Sequence, residues 1–254
     1  MRPSDTSLVA QLEANLAALR RRIELARARS PHAAPEVTLL PVTKTAPTAL
    51  FQALGAAGVR EVGENRLPAA AQRRAEGPPA WRWHGIGHLQ RNKVPLAVRT
   101  FDVFHALDSL RLAQALEHEL AKADQTLETY VQVNAAEDPA KGGFGVDEVR
   151  AALEALAGSP HLRVVGFMTM AALDTSERDE RQTFCTLRSL RDEAVRWGVG
   201  QVPPSGLSMG MSNDFELAVE EGSTLVRIGR AVFADVLMDG ASSGAAAPSE
   251  EESR

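Results

Sequence analysis

Val37-Thr-Leu-Leu-Pro-Val42, followed at once by Thr43-Lys44, is the stretch from which the rest of the chain can be ordered. It is short, apolar and set off by a break between Pro31 and Pro35, which is the pattern of a buried strand. Downstream the pattern recurs. Strand-like runs around 59–62, 81–86, 101–106, 128–134, 162–168, 204–208 and 224–228 are separated by helical stretches around 47–57, 66–76, 89–98, 109–123, 147–158, 177–197 and 212–221. With the first, this makes eight strands of nearly continuous apolar character, as expected of a parallel sheet covered on both faces or closed on itself. Eight units favour closure over an open doubly wound sheet, and 254 residues is an ordinary length for one barrel domain. The expected fold is therefore an α/β protein, a single (β/α)8 TIM-type barrel over residues 1–238. It would carry an extra N-terminal helix and, from Asp239 to Arg254, a disordered acidic tail rich in Gly, Ala, Ser and Glu.

The N-terminal helix is read from Leu12, Leu16, Leu19 and Ile23 at helical spacing, with Ser4 or Asp5 as its cap. Five arginines between Arg20 and Arg29 then form its solvated face. A net charge of −5 argues against a general electrostatic grip on nucleic acid. One cysteine, Cys185, excludes an internal disulfide and a Cys-rich zinc site; it falls among Phe184, Leu187 and Leu190, as a packed hydrophobe would. No apolar run has the length of a membrane span, so a soluble cytoplasmic protein is expected.

In a barrel, chemistry gathers at the C-terminal ends of the strands. Lys44 follows the first strand, Gly63-Glu64-Asn65 the second, and His84 to His88 the third. Ser208-Met-Gly-Met-Ser212 follows the seventh and Arg227-Ile-Gly229 closes the eighth. A lysine at such a mouth is partly desolvated, which favours the neutral amine that attacks an aldehyde; a loop charge is the plainer alternative. The small residues Ser208, Gly210, Ser212 and Gly229 leave backbone N–H groups free for phosphate, where loop formation is the alternative. Arg227 suits a phosphate, a carboxylate or a heteroaromatic nitrogen. An arginine opposite a pyridine nitrogen leaves that nitrogen an acceptor and weakens the ring as an electron sink. His84 and His88 lack the Glu of a zinc-binding HExxH pattern, and Gly85-Ile-Gly87 lacks the third glycine of a dinucleotide loop, so no metal and no dinucleotide are expected.

Val42-Thr-Lys-Thr45, Gly63-Glu-Asn65, Trp83-His84 with Ile86-Gly-His-Leu-Gln-Arg-Asn-Lys93, Leu207-Ser-Met-Gly-Met-Ser212 and Val226-Arg-Ile-Gly229 occur in one order. Together, from about Val37 to Phe233, they resemble the pyridoxal phosphate homeostasis protein family, whose barrel is similar to the N-terminal domain of alanine racemase. The resemblance implies that Lys44 forms an internal aldimine with pyridoxal 5′-phosphate. It implies that Ser208, Met209, Ser212, Gly229 and Arg230 cradle the phosphate, largely through backbone N–H, and that Arg227 partners the pyridine nitrogen. Asn65 and His84 match positions near the cofactor ring. Lys141 resembles a family lysine after the fifth strand, although a solvated lysine is the simpler reading.

Three positions depart from the family pattern: Gly85 replaces a bulky residue, Ala46 a frequent second lysine, and Ala234-Asp235 a glycine after the closing Phe. One lysine base, a weakened electron sink and a mouth uncovered by a second domain suit a carrier that holds pyridoxal phosphate, maintains vitamin B6 homeostasis and delivers the cofactor to apoenzymes, with no catalytic residue. A barrel whose mouth needs no partner is expected to be a monomer. Alanine racemase takes its second acid–base group, a tyrosine, from an additional domain, whereas the single tyrosine here, Tyr130, falls inside the fifth strand. The alternative is a weak racemase, or a related lyase or isomerase.

Overall fold

The computed structural model describes residues 5–44, 46–47, 50–172, 174–200, 202–234 and 236; Ser4, Thr45, Asp235 and the stretch 239–254 lie outside the described residues. Eight strands alternate with helices: β1 (Thr38–Pro41), β2 (Glu61–Glu64), β3 (Arg82–Gly85), β4 (Val103–Leu107), β5 (Leu127–Gln132), β6 (Leu162–Met168), β7 (Gly206–Ser208) and β8 (Leu225–Ile228). All pair in parallel, in the order β1-β8-β7-β6-β5-β4-β3-β2. A bridge between Val42 and Gly63 brings β1 back to β2, with the Thr43 N–H donating to Gly63 O at 3.0 Å. The barrel is closed there by one bridge rather than a ladder.

The helices are α1 (Asp5–Ala28), α2 (Leu50–Ala56), α3 (Leu67–Glu76), α4 (Val94–Thr100), α5 (Leu110–Ala123), α6 (Val149–Leu156), α7 (Glu177–Trp197) and α8 (Phe215–Glu220). Among the described residues no helix follows β8. Its place is taken by α1, which packs against α8 on one side and α2 on the other. The N-terminal helix is thus the eighth member of the outer ring and no addition to a complete one. Leu12, Leu16, Leu19 and Ile23 are all buried, as their spacing requires. Three of the arginines between Arg20 and Arg29 have partners: Arg22 pairs with Glu216 through two bonds of 2.9 Å, Arg29 with Glu220 at 2.7 Å, and Arg27 with Glu24 at 2.5 Å and Ala34 O at 3.0 Å. Asn15 Nδ2 donates to Val232 O and Ala234 O, both at 3.0 Å, fastening α1 to the turn after β8. No described helix is long and apolar enough to cross a membrane.

The two-residue period of the strands separates two cores. Outward-facing Trp83 meets Phe51 and Trp81 under the helices, with ring centroids 5.7 and 6.5 Å away. Its neighbour His84 points into the lumen, as does His105 beside buried Phe104. The lumen is partly polar: Tyr130 from β5 stacks on His105 with centroids 4.5 Å apart. Gly206 makes room for it, because a Cβ there would lie 2.9 Å from the Tyr130 ring. At Gly85 the bulk that the family pattern supplies in sequence comes from elsewhere. Phe101 packs so closely that a Cβ on residue 85 would lie 2.6 Å from its ring.

Candidate functional site

Parallel strands put all their C-terminal ends on one rim, so Lys44, after β1, shares a rim with the turns after β7 and β8. The Val42 N–H donates to Ile228 O at 2.9 Å, which seats the residues before Lys44 directly beside Gly229. Lys44 itself is exposed, while Thr43 beneath it is fully buried. The Thr43 hydroxyl donates to Glu64 Oε1, and Arg73 of α3 clamps the same oxygen at 2.6 Å and Thr43 O at 2.8 Å. A second, longer contact of 3.4 Å reaches Lys44 O. The backbone that carries Lys44 is therefore held by an ion pair whose Glu64 end is fully buried. Glu64 Oε2 has no partner among the described residues. Neither Glu64 nor Arg73 was singled out from sequence, where Gly63-Glu64-Asn65 reads as a loop; in fact Gly63 and Glu64 pair with His84 and Gly85 inside the sheet.

After β7 the chain turns at Gly210, whose φ of +95° and crowded α-carbon suit only glycine; a Cβ would lie 2.7 Å from Ala218 Cβ. Asp214 steadies the turn by accepting the Met211 N–H at 2.5 Å. Burial raises the pKa of its carboxyl, against the opposing pull of Met211 and Arg227. Of the expected phosphate cradle, Ser212, Gly229 and Arg230 stand at the rim. No acceptor among the described residues receives the N–H of Ser212, Asn213, Gly229 or Arg230. Arg230 Nη2 reaches Asn213 Oδ1 at 3.3 Å, linking the two turns. Ser208 and Met209 lie lower than expected. Both are fully buried, the Met209 N–H donates to Leu225 O, and the Ser208 hydroxyl is engaged by Arg227 and His105.

Arg227 is inside the barrel, 5% exposed. Nη1 donates to Ser208 O at 2.7 Å and Ser208 Oγ at 2.6 Å, and Nη2 to Thr169 O at 3.0 Å. Among the described residues no carboxylate touches it, and burial pushes the guanidinium down to about 10, which leaves it protonated at neutral pH. The outcome is a fixed positive donor below the rim.

Asn65 is exposed beside this rim, and Gly87 approaches it so closely that a Cβ would lie 2.4 Å from Asn65 O. His84 is in the lumen rather than at the rim, with Nδ1 2.9 Å from His105 and Nε2 3.0 Å from Glu61. Both its ring nitrogens are occupied, so it borders Arg227 only through intermediaries. Lys141 is not a solvated lysine: its amine donates to Met170 O at 3.2 Å and to Ala171 O, joining the turns after β5 and β6. Burial lowers its pKa. A cleft of about 730 Å³ between α6 and α7, lined by Asn134, Arg150 and Trp197 among others, includes neither Lys44 nor Arg227.

Comparison with known proteins places this geometry among relatives. Residues 14–236 match the family model described as alanine racemase, N-terminal domain. The chain is 35% identical over 228 residues to the pyridoxal phosphate homeostasis protein of Pseudomonas aeruginosa, covering 89% of this chain and 95% of that one. To the protein of the same name from Escherichia coli it is 33% identical over 223 residues, with coverages of 86% and 94%. The structure of PipY of Synechococcus elongatus with PLP bound is similar at a TM-score of 0.77 and 32% identity, over 88% of this chain and all of that one. Alanine racemase of Clostridium difficile, at 14% identity and a TM-score of 0.68, shares the barrel, with 88% of this chain and 56% of that one covered.

Proposed function

Because this chain belongs to the pyridoxal phosphate homeostasis protein family, built on the barrel of the alanine racemase N-terminal domain, we propose that it binds pyridoxal 5′-phosphate at the rim described above and serves as its carrier. The observation that carries this reading is the common rim. It holds an amine at Lys44, unused amide N–H groups at Ser212, Asn213, Gly229 and Arg230, and a fixed guanidinium below them at Arg227. This donor set fits an aldehyde, a phosphate and a ring nitrogen on one small molecule. When bound, the cofactor supplies an electrophilic aldehyde and a conjugated ring. Lys44 would supply the amine for the aldehyde, the amides of Ser212, Asn213, Gly229 and Arg230 would hold the phosphate, and Arg227 would offer a donor to the ring nitrogen. Asn65, just after β2, would border the ring.

The same geometry favours holding over turnover. Tyr130, the one tyrosine of the chain, is half-buried and stacked on His105 in the lumen, and burial pushes its hydroxyl up to about 12. It is no acid–base group for a substrate at the mouth. The protein is accordingly proposed as a cytoplasmic monomer that keeps free pyridoxal phosphate low and hands it to apoenzymes. The purified protein is expected to take up one equivalent of cofactor with a shifted absorption band and to turn over neither D- nor L-amino acids. Racemisation or elimination well above the rate of free cofactor would favour the enzyme reading instead.

Ser212 tests the phosphate end. Ser212→Asp is expected to weaken cofactor affinity about tenfold more than Ser212→Ala, since a carboxylate beside the phosphate repels it. Titration of both variants by absorbance gives the comparison, and equal losses would place the phosphate elsewhere.

A further inference from the structure

A continuous line of side chains crosses the lumen beneath the rim. Glu61 Oε2 lies 3.0 Å from His84 Nε2, His84 Nδ1 lies 2.9 Å from His105 Nε2, and His105 Nδ1 lies 2.8 Å from Ser208 Oγ. Ser208 Oγ in turn lies 2.6 Å from Arg227 Nη1. Strands β4 and β7 are not neighbours in the sheet, so the contact between His105 and Ser208 spans the barrel's interior. His84, His105, Ser208 and Arg227 are all buried, and only Glu61 is partly open, at the opposite end of the strands from the rim.

Donor chemistry gives this line a direction. A guanidinium has no acceptor, so Ser208 Oγ receives from Arg227. Among the described residues, the one acceptor in contact with the serine's own proton is His105 Nδ1. His105 is then neutral with its proton on Nε2 and donates to His84 Nδ1. His84 therefore carries its proton on Nε2 and donates to the Glu61 carboxylate. An imidazolium at either ring would strand the serine proton or set two N–H groups face to face. The surroundings agree. Burial, reinforced by the Arg227 guanidinium across the lumen, holds the His105 pKa well below its ordinary value, while the bond from His84 holds Glu61 below the usual carboxylate range.

We propose that Glu61, His84 and His105 are positioning residues for Arg227, acting through the Ser208 hydroxyl in a one-way hydrogen-bond chain that fixes the guanidinium against β6 and β7. The chain's consequence for the cofactor rests on the pyridoxal phosphate reading above: a guanidinium that cannot swing presents its remaining N–H groups to one spot. The proton arrangement itself is a property of the protein alone.

Two measurements on the full-length protein separate these levels. Nitrogen-15 imidazole NMR without cofactor is expected to give His84 and His105 both as neutral Nε2–H tautomers near neutral pH. An Nδ1–H tautomer or an imidazolium at either position would overturn the proposal. Glu61→Gln keeps an acceptor for His84, so it is expected to preserve both tautomers and the bound-cofactor spectrum. Glu61→Leu removes that acceptor at the far end of the chain. It is expected to mix the tautomers, weaken pyridoxal phosphate severalfold and move its absorption band, an effect that direct contact does not explain. Unmixed tautomers or an unmoved band in Glu61→Leu, while the unaltered protein binds cofactor, would refute the positioning role. If the tautomers behave as expected but the unaltered protein binds no cofactor, the cofactor reading fails and the chain stands.

Discussion

Borohydride reduction of the Lys44→Ala protein in the presence of pyridoxal 5′-phosphate is expected to leave the chain without label, whereas the unaltered protein takes up about one equivalent on the peptide that carries Lys44. The expectation is all-or-none because reduction fixes only a carbon–nitrogen bond already formed with an amine held at the aldehyde. Thr43, Glu64 and Arg73 hold the backbone of just one rim lysine in place beside Gly229. Lys141, the other lysine of interest, has its amine engaged by Met170 O and Ala171 O. Affinity should fall at least about tenfold without vanishing, since the amide groups and Arg227 are untouched by the substitution. Peptide mapping after proteolysis checks the site, and a labelled peptide without Lys44 would move it.

The largest stability effect is expected away from the rim. Strands β6 and β7 approach so closely at Gly166 that a Cβ there would lie 2.1 Å from Gly206 O and 2.5 Å from its carbonyl carbon. The obstructing atoms are backbone within a parallel ladder, so no rotamer change relieves them; the strands must part, and the neighbouring pairs Phe167–Leu207 and Met168–Ser208 go with them. Gly166→Ala is expected to cost about 3 kcal/mol, a fall in Tm of about 6–12 °C for a chain of this size. Thermal unfolding followed by circular dichroism measures it. A fall of less than about 2 °C would mean that this close approach relaxes freely.

Much of the barrel was legible because helices and strands announce themselves through different periods. Helix α7 begins and ends where its sequence suggested: Ser176 caps it through the Asp179 N–H, and Gly198 stops it with a φ of +63°. The strand Val37 to Val42 was read one residue too long at each end. β2 was misplaced by two residues, because apolar Val59 lies before the strand while Gly63 and Glu64 look like turn residues yet pair within it. Lys44 and the turns around Ser212 and Gly229 could be found from position alone, since they follow strands. The layer of His84, His105 and Tyr130 could not. In a strand buried on both faces, apolar neighbours hide which residues face the lumen, and only the closed barrel brings His105 of β4 to Ser208 of β7. Nor does the pattern of one helix tell that α1 fills the gap after β8.

That last arrangement has a consequence for how the molecule is made. Asn15 is fastened to Val232, 217 residues further along, and α1 flanks α8 near the other end of the sequence. A ribosome delivers α1 before every strand of the barrel and α8 after the other seven helices, so Leu12, Leu16, Leu19 and Ile23 must wait for α8 before the ring can close over them. Completion of the ring is thus a late, cooperative event. The nascent chain carries an uncovered greasy stripe until then, the kind of surface that chaperones engage.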